Sequence, residues 1–158
     1  MVLEYQKDDQ NIVTMTMNMA GSSSNIINHD FSMDLLKTVK RLEQEPLLTG
    51  VILTSAKKTF IDGIDIEMLY GQTDTNTCLE LIESNKETMR RLETLGKPVV
   101  AAMNGTALGG GMELALCCHH RIVIDNPKIK LGFPEVNIGI LPGGGGFCLL
   151  YTSDAADE

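Results

Sequence analysis

Residues 97 to 113 constrain the fold more than any other stretch of the chain: Lys97-Pro98-Val99-Val100-Ala101-Ala102-Met103-Asn104-Gly105-Thr106-Ala107-Leu108-Gly109-Gly110-Gly111-Met112-Glu113. An apolar run of strand length passes through Asn104-Gly105 into a helix that opens in a glycine run. That is the grammar of a buried strand handing over to a helix. The same alternation recurs along the chain. Leu3 to Lys7 and Asn11 to Asn18, where Val13, Met15 and Met17 alternate with Thr14 and Thr16, predict a hairpin closed near Asp8-Asp9-Gln10. Ser32 to Glu45 carries Leu35, Leu36, Val39 and Leu42 at helical spacing, with Ser32 as N-cap and Pro46 as stop. A short strand over Gly50 to Thr54 follows, then a loop, then a helix over Thr75 to Leu95 with Cys78, Ile82, Met89 and Leu92 on one side. Arg121 to Ile124 is a further strand. Strands alternating with helices predict an α/β domain with parallel strands, whose ligands gather where strands hand over to helices.

Composition narrows the function classes. A chain of 158 residues, 43% hydrophobic, is expected to hold one domain, or most of one. Its net charge of −8 does not supply the basic field that a nucleic acid or an anionic membrane surface requires. No apolar run approaches the roughly 18 residues of a membrane span, and Met1 to Asp9 resembles neither a signal nor a transit peptide, so a cytoplasmic setting is expected. The four cysteines, Cys78, Cys117, Cys118 and Cys148, show no disulfide spacing and are expected to be reduced thiols. Cys117-Cys118-His119-His120 is the one cluster of metal-ligand types, and no second cluster completes four ligands, so no metal is expected.

Four local features carry chemistry. The glycine runs at 109–111 and 143–146 allow close backbone approach, and the first sits where a helix presents unpaired amides to an anion or a polarised carbonyl. Neither run is a nucleotide loop: Met112-Glu113 replaces the Lys-Ser/Thr of a P-loop, and no Gly-x-Gly-x-x-Gly exists. Glu113, among Met112, Leu114, Ala115 and Leu116, is either a charge complementing the helix dipole or a catalytic base. Glu135, after Pro134 and among apolar residues, is either a solvated turn carboxylate or a second acid. Phe60-Ile61-Asp62-Gly63-Ile64-Asp65-Ile66 reads by itself only as a loop with a tight bend at Gly63.

Taken together and in this order, Phe60 to Ile66, Asn104 to Glu113 and Lys130 to Gly143 resemble the oxyanion loops and acid loop of the enoyl-CoA hydratase/isomerase (crotonase) family. The resemblance covers the chain to about Gly146. Within the family, Glu113 to Arg121 and Asp125 to Lys128 look most like the hydratase part of bacterial multifunctional fatty-acid oxidation subunits. It implies a spiral of repeated ββα units, and an acyl-CoA thioester as ligand. It also implies an oxyanion hole from the backbone N–H groups of Ile64 and Gly110, and catalysis by Glu113 and Glu135, with Gly63, Asp65, Gly109, Pro134 and Gly143 at the substrate. The implied activity is hydration of trans-2-enoyl-CoA in β-oxidation. Isomerisation of the double bond, a non-catalytic acyl-CoA-binding role, and a thioester hydrolase or decarboxylase are the alternatives.

The chain departs from the pattern at Ile64, where the family commonly has Ala, and at Asp62, where it has an apolar or small residue; a larger side chain at 64 is expected to crowd the CoA strand. The resemblance assigns residues 1–146 to the domain and leaves residues 147–158 as an unmatched, non-native tail, with the C-terminal helical section missing. The chain as written is therefore expected to be inactive and to expose apolar surface at Phe147, Leu149, Leu150 and Tyr151. The resemblance implies no cofactor for this domain and NAD only for a dehydrogenase part following it. It also implies an oligomer, with a thiolase subunit as a partner.

Overall fold

The computed structural model describes residues 1–70 and 73–152; residues 153–158, the end of the tail expected to be foreign, and the side chain of Tyr151 lie outside the described part. The chain opens with an antiparallel hairpin, β1 (Leu3–Lys7) and β2 (Ile12–Met17), with Leu3 opposite Met17 and Lys7 opposite Val13. The Asp8 carboxylate closes the turn by accepting the N–H groups of Gln10 and Ile12, both at 2.9 Å. Beside β2 run β3 (Gly50–Ser55), β4 (Val99–Met103) and, past a short intervening strand, β6 (His120–Val123), all parallel, in the order β1-β2-β3-β4-β6.

Side chains alternate across a strand, so every second residue turns to the core. Val13, Met15 and Met17 of β2, Val51 and Leu53 of β3, and Val99, Ala101 and Met103 of β4 are buried there. The core is completed by α1 (His29–Glu43), through Phe31, Leu35, Val39 and Leu42, and by α3 (Thr75–Glu93), through Met89 and Leu92. Fully burying each such side chain contributes about 1.5–3 kcal/mol. The edge strand β6 differs from the others, since His120, Ile122 and Val123 are exposed.

A second, smaller layer of backbone pairing is what positions the site. Residues 25–27 pair with 62–65, residues 60–61 with 106–108, and β5 (Ala107–Leu108) with β7 (Leu131–Gly132), every register being parallel. Each long strand is thus followed by a short one and then by helix: β2, 25–27 and α1; β3, 61–64, α2 (Ile66–Tyr70) and α3; β4, β5 and α4 (Gly110–Leu116); β6, β7 and a 3₁₀ turn over Glu135–Ile138. This is the repeated ββα arrangement. A last helix, α5 (Gly146–Thr152), packs onto α4, and Leu149 reaches the core while Phe147 and Leu150 are exposed.

Asn25 ties the two layers together. It is fully buried; its Oδ1 accepts the Met19 N–H at 3.0 Å, while its Nδ2 donates to Ser55 Oγ at 2.9 Å and to the carbonyls of Met17 and Phe60 at 3.3 Å. Its own carbonyl accepts the Asp62 N–H at 2.9 Å. The ends of β2 and β3 and the loop after β3 therefore meet on one amide. Close approach of a second kind occurs at Gly111, where a Cβ would stand 2.6 Å from Ile61 Cβ and 2.7 Å from its carbonyl oxygen. Only glycine lets α4 lie against that loop.

The observed elements correct the expected boundaries. The first helix begins at His29 rather than Ser32, because Asn28 is the N-cap, accepting the Phe31 N–H at 2.9 Å, which brings Phe31 into the core. Ser32 lies inside the helix with its hydroxyl buried and unpartnered. Helix α2, capped by Asp65 through the Glu67 N–H at 3.1 Å, is too short to give a periodic signal. The short strands and the helix from Gly146 into the supposed tail are likewise additions.

Replacing Asn25 with Leu would leave the Met19 N–H and the other former partners without their bonds inside the core. The expected loss is on the order of 3 kcal/mol in urea unfolding. Ser24→Ala, one residue away, is the control and should change stability by no more than about 0.5 kcal/mol.

Candidate active site

The small layer aims two amides at one place. In a parallel pairing a residue bonds to one neighbour through the groups that flank it, and its own N–H faces the other side. Ile27 donates to Gly63 O at 2.9 Å and accepts from the Asp65 N–H at 3.0 Å, so the N–H of Ile64 between them is turned away from residue 27. On that other side the 106–108 segment pairs with Phe60 and Ile61, then leaves the layer as it turns into α4 at Gly110. The rung that would have engaged Ile64 is missing. The Gly110 N–H, at the start of α4, is among the donors a helix cannot satisfy from within, and neither amide has a partner among the described residues. The bend at Gly63, with φ of +102°, makes this possible where a side chain would be strained.

Ile64 and Gly110 line a cavity of about 200 Å³ together with Glu113 and Glu135. Residues from three separate loops, all read from the sequence as chemically interesting, thus converge. Glu113 is only 4% exposed. Its Oε1 accepts the N–H groups of Gly144 at 2.7 Å and Gly146 at 3.0 Å, and its carboxylate occupies the space that a Cβ on Gly144 would need. Burial pushes the Glu113 carboxyl above its ordinary range; the amide bonds oppose the rise and the charge of Glu135 adds to it. Glu135 opens the 3₁₀ turn after Pro134, and its Oε2 is buried with no hydrogen-bond partner. A buried carboxylate oxygen left unpaired is costly unless something is to be bound there. A Cβ on Gly109 would lie 2.7 Å from Glu135 Oε1, so the glycine run makes room for the second acid.

The remaining expected residues fall as follows. Gly143 lines the cavity. Gly63 lies behind Ile64, and Gly109 lies behind Gly110, its N–H held by Gly132 O at 2.9 Å. Pro134 caps the turn that presents Glu135. The Asp65 carboxylate is spent on the start of α2 and is not on the cavity wall. The rest of the wall comes from Ile27, from Ile82, Asn85 and Met89 of α3, and from Ile140, Leu141 and Gly144. Of these, Ile82 and Met89 were legible as an apolar helix face, though not as cavity wall, and Asn85 gave no signal of its own. Ile64 itself is half-buried and packs against the core. Among the described residues no group of three or more His, Cys, Asp and Glu side chains gathers as metal ligands. Cys117 and Cys118 are buried at the end of α4, with burial holding both thiols well above their usual range, and His119 Nδ1 accepts the Val99 N–H at 3.1 Å.

Two unpaired amides and two carboxylates thus share one cavity at the carboxyl ends of parallel strands, in a fold of repeated ββα units. The sequence profile of the enoyl-CoA hydratase/isomerase family matches residues 7–153, and the chain belongs to that family. It is 40% identical over 139 residues to the fatty acid oxidation complex subunit alpha of Shewanella loihica, a match covering 87% of this chain and 20% of that protein. The chain thus spans about a fifth of the length of the curated relatives it matches. Among solved structures it is similar to an enoyl-CoA hydratase from Bacillus anthracis, with TM-score 0.85 and 29% identity over 96% of this chain and 57% of that one. It is also similar to an enoyl-CoA hydratase from Geobacillus kaustophilus, with TM-score 0.88 and 26% identity over 95% of this chain and 55% of that one. No helix among the described residues is long and apolar enough to cross a membrane.

The raised Glu113 carboxyl predicts a pH-dependent stability difference. A group whose pKa is higher folded than unfolded favours the folded state below its unfolded value, near 4.5, and that contribution is lost as pH rises through the folded value. Glu113→Gln has no proton to lose. Its melting temperature should therefore exceed that of the parent at pH 8, and the gap should shrink as pH falls toward 4; a constant gap across this range would show that burial does not disfavour the charge.

Proposed function

We propose that this domain hydrates trans-2-enoyl-CoA thioesters to 3-hydroxyacyl-CoA, the reading notably supported by the meeting of Glu113 and Glu135 in one cavity beside the free amides of Ile64 and Gly110. The thioester carbonyl would accept from both amides, which are fixed in place by the backbone around them. Such donors act most strongly where negative charge appears only as the reaction proceeds, on the order of 3 kcal/mol for each. Because N–H groups do this work, an isoleucine at position 64 is compatible with it.

Water would sit between the carboxylates. One carboxylate takes a proton from the water as its oxygen bonds the β-carbon, the electrons of the double bond move toward the carbonyl held by the amides, and the other carboxyl gives its proton to the α-carbon. One molecule of water is added and no redox partner is consumed. A carboxyl with a raised pKa, as burial gives Glu113, suits a pair in which one member must hold a proton near neutrality. The unpartnered Glu135 Oε2 offers an acceptor for the water. Moving a double bond also takes one proton and gives one, but a single carboxyl can relay both; hydration must in addition hold and deprotonate a water, a task that the presence of a second acid favours.

On this reading acyl-CoA is the substrate and the step needs no cofactor; NAD would serve only a dehydrogenase part. The relatives named as subunits of a fatty acid oxidation complex support a place in fatty acid oxidation and within a multi-subunit assembly; a thiolase subunit as partner and a cytoplasmic setting are part of the proposal itself.

The reading is tested by following crotonyl-CoA hydration spectroscopically with the domain carrying its natural continuation. Glu113→Gln and Glu135→Gln should each slow it by roughly 10²–10⁴-fold, the usual contribution of a positioned acid or base, while circular dichroism stays unchanged. Near-parental turnover in either variant would remove that residue from the mechanism.

A further inference from the structure

The inward stripe of α3 is written Cys78, Ile82, Asn85, Met89, Leu92, with steps of four and three residues that keep one helix face toward the interior. Four of these positions carry apolar or weakly polar side chains. Asn85 breaks the pattern, and it does so in the middle of the stripe. Its neighbours on that face, Ile82 and Met89, both line the cavity, and Asn85 lines it between them. Apart from Glu113 and Glu135, it is the polar side chain on a wall otherwise made of Ile27, Ile64, Ile140, Leu141 and glycine backbone.

Asn is a weaker helix former than Leu or Met, and here it stands on a mostly apolar cavity wall. Asn85 is half-buried, and its side chain has no hydrogen-bond partner among the described residues. By contrast Thr88, on the next turn, has its hydroxyl satisfied by the Ser84 carbonyl at 2.9 Å. With no protein partner, the half-buried Asn85 amide is left to water until something entering the cavity displaces it. A straight saturated chain laid along α3 would strip water from that amide and return nothing, whereas an oxygen at the same height would accept its N–H. The flanking carboxylates make an anionic substituent unsuitable, so the complementary group is a neutral oxygen.

We propose that Asn85 is a specificity-determining residue of this site, selecting acyl groups that present a neutral hydrogen-bonding oxygen to the α3 wall over unbranched saturated chains of the same length. The proposal rests on the acyl-thioester reading of the cavity and deepens it by naming a substrate class. Asn85 need take no part in the chemical step. Its contribution lies in discrimination, which is a ratio between two substrates.

The experiment compares trans-2-octenoyl-CoA with oxa analogues in which one methylene beyond the double bond is replaced by an ether oxygen, the oxygen being walked along the chain. In the domain carrying its natural continuation, the parent, Asn85→Leu and Asn85→Ala are assayed for kcat/KM, and the saturated octanoyl-CoA series is measured for binding by calorimetry. The parent should prefer at least one oxa position over the all-carbon chain, and Asn85→Leu should shift that ratio toward the all-carbon chain by roughly 5- to 100-fold. Asn85→Ala, which suits the helix and leaves only a smaller wall, should shift it in the same direction. Equal ratios in parent and variants overturn the proposal, whatever the absolute rates. Crotonyl-CoA turnover by the parent is the separate marker of the hydratase reading. If it is absent while the binding ratio still shifts, that reading fails and the selection by Asn85 stands; if it is present and the ratio does not move, the selection fails and the hydratase reading stands.

Discussion

The row of short parallel pairings that crosses the end of the main sheet is the constraint on which the site depends. Residues 25–27, 61–64, β5 and β7 each supply only a rung or two, yet each is the hinge between a long strand and the helix that follows it. Two or three backbone bonds at one hinge are a weak tether, since a single hydrogen bond nets only about 1 kcal/mol. Cooperation makes them firm. Asn25 spends its amide on the ends of β2 and β3 and on the Phe60 carbonyl, so the small layer cannot slide relative to the large one without breaking several buried bonds together. Where the chain turns from β5 into α4 the row runs out of partners, and the amides of Ile64 and Gly110 are left facing the cavity.

Glu113 shows what the site costs the fold. A carboxylate in the first turn of a helix is ordinarily favourable, because it complements the helix dipole from the surface. Here it is carried inside, where charge is penalised, and the amides of Gly144 and Gly146 offset only part of that penalty. The glycines against both acids are explained by the same crowding. At Gly109 a side chain would meet the Glu135 carboxylate, and at Gly144 it would meet that of Glu113. Stability is given up where two acids must stand close together with one oxygen unpaired, which is a common signature of a site kept for binding or chemistry.

Much of the architecture was legible because its signals are local. Val13, Met15 and Met17 alternate with threonines, and β2 forms there with those methionines buried. The apolar stripe of α3 and the glycine start of α4 follow from spacing and turn chemistry in the same way. The misplaced start of α1 has an equally local cause: Ser32 and Asn28 are both good N-caps, and only the docking of Phe31 into the core decides for Asn28. The strands of the small layer were invisible because two-residue pairings leave no periodicity to read. Asn25, in the run Gly21-Ser22-Ser23-Ser24-Asn25, has the composition of a solvated loop, and nothing local distinguishes it from its exposed neighbour Ser23.

The sequence by itself determined an α/β chain of alternating strands and helices, the places where backbone can approach closely, and the two glutamates set among apolar residues. Those properties depend on neighbours within a turn or two. Only the tertiary structure decided that Glu113 would be gripped by amides 31 and 33 residues further on, that Glu135 would keep one oxygen without a partner, and that Ile64 and Gly110 would face the same cavity. It also decided that the inward stripe of α3 would become cavity wall, so that a single Asn on it confronts a ligand instead of the core. The physical reason is that burial and pairing are set by segments distant in sequence, whereas periodicity and turn chemistry are carried by each segment alone.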